Sequence, residues 1–439
     1  MSDPASGAPW WRGLTARHWT VLAISWFGWV FDIMDVYLLA VMKGPAFTSL
    51  LGPGGADRVN TFGGWVLCLT LVGWALGGLV FGVVADRWGR TRTMALTILI
   101  YSIFTGLGGL AQNWQQLFLC RFVAALGIGG EWGTGASLIA EVFPPRARAV
   151  GAGLLQAASG AGFFLGGFVL WLIKIWGPAG WEPWRLAFIA GAFPALLALV
   201  VRLVLRESEA WESARARARA GLAERLGSLR ALFGDPELRR RTLVATGLAT
   251  VGICAFWGTN FWAPESLVDL LKQLGHTPKQ IESIRPTGLM VLNAGVFLGF
   301  LLYIPLTQRI GRKRAFFWFH LGALLSVPAA FLFSTTYALW LGLFFVAGLF
   351  AAGIFSGYTI TFPELFPTRL RATGASFCYN VGRVASSPGP VLAGGLSGLL
   401  GIATAGAIMG AVYALAFLFI PFLPETRDIE LVEKDAAAT

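Results

Sequence analysis

Two aspartates, Asp32 and Asp35, interrupt the apolar run WFGWVFDIMDVYLLAVM at residues 26–42, three residues apart and therefore on one face of a helix. A carboxylate at bilayer depth costs about 2.5–3.5 kcal/mol to insert, so acids there are expected to do work. The other ionisable side chains inside apolar runs are few: Arg121, Glu131, His320 and Arg383. This set allows three kinds of chemistry. An arginine keeps a neighbouring aspartate ionised, and the desolvated aspartate takes a proton once the two part. Two carboxylates at one depth oppose each other's ionisation, so one of them holds a proton at neutral pH. A guanidinium in the membrane needs an anion, either another side chain or a solute carboxylate. Hydrolytic, nucleotide and metal chemistry find no footing, because no HExxH, GxSxG, Walker loop or Cys/His ligand spacing occurs. The four cysteines, Cys68, Cys120, Cys254 and Cys378, fall in apolar runs and read as packing residues.

The elements that position these groups are long apolar spans. Of the 439 residues 56% are hydrophobic and only 13% charged, against about 25% charged in soluble domains. Spans are expected at about 19–42, 61–85, 93–111, 117–140, 149–172, 185–205, 242–264, 284–308, 315–333, 338–361, 372–397 and 402–423. The N-terminal stretch MSDPASGAPWWRG lacks a short apolar core followed by a cleavage site, so no secretory signal is expected. The net charge of +11 is distributed by topology. Arginines crowd the loops on one side, and the other side carries only Lys43, Arg58, Lys174, Arg185, Lys272, Lys279 and Arg285. This positive-inside pattern puts both termini and the long loop 206–241 in the cytoplasm and argues against a nucleic-acid partner. Tryptophans such as Trp114, Trp176, Trp181, Trp184 and Trp340 sit at span ends as interface belts.

The chain also repeats itself. DRWGRTR at 86–92 matches QRIGRKR at 308–314, and EVFPPRARAVGAG at 141–153 matches ELFPTRLRATGAS at 364–376. The domains are therefore a tail 1–18, a six-helix bundle 19–205, a linker 206–241, a second bundle 242–423 and a tail 424–439. The linker alternates charge and alanine as short surface helices do. In HTPKQIES, Thr277 would cap a helix, with Pro278 in its first turn and Gln280 three residues on.

At these residues the sequence resembles the major facilitator superfamily, over essentially all twelve spans. GVVADRWGRTR at 82–92 is similar to that superfamily's signature loop, and ESEAWE at 207–212 with PETRD at 424–428 resembles sugar-porter helix ends. FDIMD followed by GIGGEWG at 127–133 resembles the sialate:proton symporters, their monocarboxylate relatives and the broader metabolite:proton symporters. Ile33 stands where aromatic-acid symporters carry glycine. The resemblance implies an all-α membrane fold of two six-helix bundles.

It also implies site roles. Asp35, about 10 Å deep, and Arg121, about 6 Å deep, would meet as a proton switch. Asp32 and Glu131, near the midplane, would form a second proton site or bond substrate hydroxyls, unless Glu131 takes a backbone or tryptophan donor. A cytoplasmic gate would comprise Gly82, Asp86, Arg90, Glu141 with Arg146 and Arg148, and Glu364 with Arg369 and Arg371. Arg90 and Arg92 would anchor at headgroups and pair with acids, and Asp86 would accept from a neighbouring helix end. Arg383, whose repeat counterpart is Gly160, would bind a substrate carboxylate or pair with Asp32 and Glu131. SSPGP at 386–390 would loosen the helix beside it. Tyr379, Asn380, Trp257, Asn260 and Tyr358 are candidate polar contacts. His320 is expected at the lipid interface and Arg285 as a snorkelling anchor.

These expectations describe a plasma-membrane symporter that takes up a small organic anion, a monocarboxylate or sugar acid, with protons as its coupling ion. No other cofactor or metal is expected, and a monomer in lipid suffices. A sugar or polyol symporter and a drug:proton antiporter are alternatives within the class. A membrane enzyme lacks its constellation, and a sensor would be expected to carry a partner motif in its loop or tail.

Overall fold

A chain in lipid must satisfy its backbone polar groups internally, and long Leu-, Ala-, Phe- and Gly-rich stretches do so as helices. The computed structural model describes residues 9–178, 180–221, 225–260, 262–386 and 396–427, and it is helical throughout with no strand among them. The first helices are α1 (Ala16–Leu51), α2 (Val59–Trp88), α3 (Arg90–Gly108), α4 (Trp114–Val142) and α5 (Pro145–Trp176). The expected sixth span is broken into α6 (Pro183–Ala190) and α7 (Ala195–Val204), because Pro194 has no N–H to continue the ladder. In the linker lie α8 (Glu209–Arg219) and α9 (Leu229–Gly234). Next come α10 (Pro236–Asn260), α11 (Ala263–Gln273), α12 (Pro278–Ile310), α13 (Arg312–Phe333), α14 (Tyr337–Glu364), α15 (Arg371–Ser386) and α16 (Ile402–Ala411). Tighter 3-10 turns carry α16 on through Val412–Leu418 and Ile420–Phe422. By length and composition, eight helical stretches among the described residues could each cross a membrane.

Local chemistry sets several ends. Asn113 caps α4, its side chain accepting from Gln116 N at 2.9 Å. Thr277 and Gln280 cap α12 reciprocally, so this helix starts at Pro278, well before the expected 284. The corners between α2 and α3 and between α12 and α13 turn on Gly89 (φ 120°) and Gly311 (φ 90°), a region that favours glycine. They occupy equivalent places in the two repeats.

Two compact units result. Among the described residues, one lies within 9–232 and 366–380; the other within 233–365 and 381–427. The first ten residues of α15 thus pack with the first unit, although they belong by repeat to the second bundle. Within the first unit α2 packs on α4, α3 on α4, and α1 on α5; within the second, α12 packs on α14 and α13 on both α14 and α16. Residues 387–390 of the expected loosened stretch, and 428–439 of the C-terminal tail, lie outside the described residues, as do 1–8 and 222–224.

Candidate functional site

In the first unit, α1, α3 and α4 bring polar groups together in two layers. In the first layer Arg121 Nη1 donates to Asp35 Oδ1 at 3.0 Å and Nη2 to Asp35 Oδ2 at 2.5 Å. Thr105 of α3 donates to the same Oδ1 at 2.8 Å. Both ions are essentially unexposed, and Phe188 lies under the guanidinium, 5.3 Å from its carbon to the ring centre. An apolar cluster of Leu39, Phe47, Phe62, Leu117, Trp184 and Phe188 packs beside this layer. Removing one partner of such a buried pair costs about 3–5 kcal/mol, because the other charge is left buried and unpaired.

One turn along α1 is the second layer. Asp32 and Glu131 are both buried, and none of their four carboxylate oxygens has a hydrogen-bond donor among the described residues. Two acceptor-only groups can bond only when one carries a proton. The bare Gly28 makes room for this: a Cβ there would collide with Glu131 Oε1. Glu131 takes no tryptophan donor. Its neighbour Trp132 gives its indole N–H to Gln156 at 3.3 Å, and Trp29 gives its own to Ser159 at 2.9 Å.

At the arginine-rich end of the first unit, Arg90 is fully buried rather than at headgroups, because two acids neutralise it. It pairs with Asp86 at 2.9 Å and with Glu141 at 2.8 Å. Glu141 also holds Arg371, the first residue of α15, at 3.0 Å, and accepts from Ser208. Asp86 accepts from the backbone N–H groups of Ala372 (3.3 Å) and Thr373 (2.8 Å), the start of the same helix. Negative charge at a helix N-terminus is favourable. Gly82 lets α2 approach this helix, since a Cβ there would stand 2.8 Å from Ser376 Cβ. Arg146 donates to the Arg12 carbonyl and Arg148 Nε to the Ala140 carbonyl at 2.9 Å. Gly227 of the linker donates to the Arg369 carbonyl at 2.9 Å.

The second unit repeats the corner: Glu364 binds Arg312 at 2.9 Å and accepts from Thr426 at 2.6 Å. Glu207 accepts from the first N–H groups of α3, and Glu425 from those of α13. The expected grouping of Arg371 with Glu364 is therefore corrected. Arg371 binds Glu141, because the start of α15 packs in the first unit.

The expected substrate contacts fall in both units. Tyr379 stacks on Trp132 with ring centres 4.1 Å apart, and Asn380 donates to the Ser376 carbonyl at 2.9 Å, both in the first unit. Arg383 is buried in the second unit, one residue past Gly382, which packs on Ala249 of α10. Trp257 meets Phe256 edge-on and Asn260 is half-buried. Tyr358 is wholly buried and gives its hydroxyl to the Leu248 carbonyl at 2.8 Å, so α10 already uses it. His320 is also wholly buried rather than interfacial: its Nδ1 faces the Phe316 carbonyl at 2.8 Å, and α16 packs on its helix. Arg285 faces Glu265 at 3.7 Å. Thr105 and Tyr101 escaped the sequence reading because neutral hydroxyls in an apolar run carry no charge signal. Their spacing of four on α3, facing the two aspartates, was the available clue.

Two helical repeats, each with the same charged corner, define a membrane transporter of the two-bundle type. The chain belongs to the Major Facilitator Superfamily, whose family model matches residues 25–278 and 266–438. A Cupriavidus pinatubonensis protein described as a "Probable 4-methylmuconolactone transporter" is 33% identical, over 92% of this chain and 90% of its own. The sialic acid transporter NanX of Escherichia coli is 27% identical, over 94% and 96%. The solved structure of the proton:xylose symporter XylE matches with a TM-score of 0.75 at 20% identity, over 94% of this chain and 97% of that one, a likeness of fold. The protein is a multi-pass membrane transporter and not an enzyme.

Proposed function

We propose that this transporter is a proton-coupled symporter of the cytoplasmic membrane that imports a small carboxylate by alternating access. The observation carrying the reading is Asp35, sealed from water and bound twice by Arg121, one turn from an acid pair that can bond only by sharing a proton. Proton entry neutralises Asp35 and releases Arg121; protons are the only coupling ion invoked, and a single chain is the working unit. The excess of arginines at one end supports a cytoplasmic placement of that end and of both termini. Arg383 is the cation proposed for the solute carboxylate, with Tyr379 and Asn380 about one turn earlier on the same helix and Trp257 and Asn260 on α10 as its candidate polar partners. Both 4-methylmuconolactone and sialic acid, named for the two relatives, are carboxylic acids. A neutral-sugar symporter is the second reading, favoured by the fold likeness to a xylose carrier.

The test is uptake into proteoliposomes of labelled 4-methylmuconolactone, sialic acid and xylose under an imposed acid-outside gradient. A monoanion moving with one proton is electroneutral, so about one pH unit drives about tenfold accumulation. Asp35→Asn should abolish accumulation while sparing exchange, and Arg383→Gln should abolish carboxylate binding. A sugar carrier would lose only stability from Arg383→Gln. Accumulation unchanged in Asp35→Asn would defeat the coupling role.

A further inference from the structure

One buried phenol in the acid core has no assigned work. Tyr101 of α3 is unexposed, and its hydroxyl has no hydrogen-bond partner among the described residues. Its backbone is held where α3 crosses α4: a Cβ on Gly127 would stand 2.8 Å from Tyr101 N and 3.0 Å from Tyr101 Cβ. Four residues on along α3 is Thr105, the donor to Asp35; four residues on along α4 from Gly127 is Glu131. The charged groups on the elements around it are Glu131 on α4, four residues from the Gly127 contact, and Asp32 and Asp35 on α1, with Arg121 bound to Asp35. The fold does not require this group. At the equivalent positions of the second repeat, Tyr101, Thr105, Arg121 and Glu131 are replaced by Ala323, Val327, Phe344 and Ile354.

A buried hydroxyl left unbonded costs about 1–3 kcal/mol. A phenol one turn along α3 from the Thr105–Asp35 bond can answer both needs, donating to a carboxylate and accepting from a protonated carboxyl. We infer that Tyr101 relays the proton between Asp35 and the Asp32–Glu131 pair, an inference that rests on the proton-coupled reading above. The proton on Asp35 passes to the phenol oxygen, directly or through one water, as the phenol's own proton passes to the pair. Asp35 ends ionised and able to rebind Arg121, the pair ends with one proton more, and the tyrosine ends neutral as it began.

Tyr101→Phe keeps the ring and removes only the hydroxyl. In the full chain in proteoliposomes, gradient-driven uptake of 4-methylmuconolactone and sialic acid should fall about 100-fold, a size typical of lost acid–base relay, with exchange within about twofold. Infrared difference spectra across a pH step, taken without solute, provide a second readout. The protonated-carboxyl band that disappears in Glu131→Gln should shift in Tyr101→Phe. Ring-labelled tyrosine in the unmutated chain should show its phenol C–O band changing with that carboxyl band, a readout that needs no variant to fold. Unchanged uptake in Tyr101→Phe, equal loss of uptake and exchange, or a tyrosine band indifferent to the pH step would each overturn the relay and leave proton-coupled transport intact. An unmutated chain that ignores the gradient would overturn both.

Discussion

Glu141→Gln offers the most direct measure of what holds the start of α15 in the first unit. Glu141 Oε1 accepts from Arg90 Nε at 3.1 Å, Arg90 Nη2 at 2.8 Å and Arg371 Nη1 at 3.0 Å, all without solvent. Glutamine keeps the shape and removes the charge. Of these bonds only the one to Arg371 restrains α15, and a hydrogen bond to a charged group contributes about 1.5–3 kcal/mol. At about 1.4 kcal/mol per tenfold, transient release of this segment should rise about 10- to 100-fold. Asp86, still bonded to the N–H groups of Ala372 and Thr373, keeps the change finite. Cys378 is a native reporter, wholly buried in the segment that would be released. With Cys68, Cys120 and Cys254 replaced by serine, its maleimide labelling rate should rise by that factor. Glu364→Gln is the control, because its bonds to Arg312 and Thr426 stay within the second unit. Equal labelling rates in the two variants, or no rise in Glu141→Gln, would refute the reasoning.

Other outcomes follow from single contacts. Tyr358→Phe loses the bond to the Leu248 carbonyl and should lower stability by about 1 kcal/mol in thermal unfolding, with solute affinity unchanged; lost affinity at full stability would return Tyr358 to the binding site. Gly28→Ala forces Glu131 from its seat and should cost about 1–3 kcal/mol while impairing gradient-driven uptake. A Gly28→Ala chain of unaltered stability and uptake would show that Glu131 is not seated there. Initial uptake should rise as the outside pH falls, since protonation precedes release of Arg121, and Asp35→Asn should flatten that dependence.

Depth counting along a helix explains what could be read in advance. Asp35 and Arg121 were placed at similar depths by rise per residue alone, and the structure joins them with bonds of 3.0 and 2.5 Å. The repeat offset likewise located the charged corners, because Gly89 and Gly311 fix the same turn in both halves. Pairing across the corner was not legible. Arg371 aligns with Arg148 and sits beside Glu364 in sequence, yet tertiary packing delivers it to Glu141. The break at Pro194 could have been anticipated from its missing N–H, but the hydropathy of 185–205 hides it. Burial of His320 and Tyr358 was beyond reach for a different reason: an aromatic with one or two polar atoms reads alike whether it faces lipid, cavity or core.

The two corners share their scaffold but not their strength, and the difference bears on how the transporter could run. Glu207 and Glu425 cap equivalent helices, and Arg90–Glu141 and Arg312–Glu364 are equivalent pairs. The first unit alone adds an acid on a helix N-terminus, Asp86, where the second has Gln308. It also adds a second arginine on its glutamate. A latch that opens each cycle must not exceed its driving force. One proton falling through one pH unit yields about 1.4 kcal/mol, and a unit charge crossing 100 mV yields about 2.3. The Arg371 bond, at about 1.5–3 kcal/mol, lies in that range. Neutralising Asp35 would leave Arg121 buried and unpaired, at a cost of about 3–5 kcal/mol, which lies above it. Under the proposed proton coupling, neutralising the aspartate therefore has to be accompanied by a new partner for Arg121.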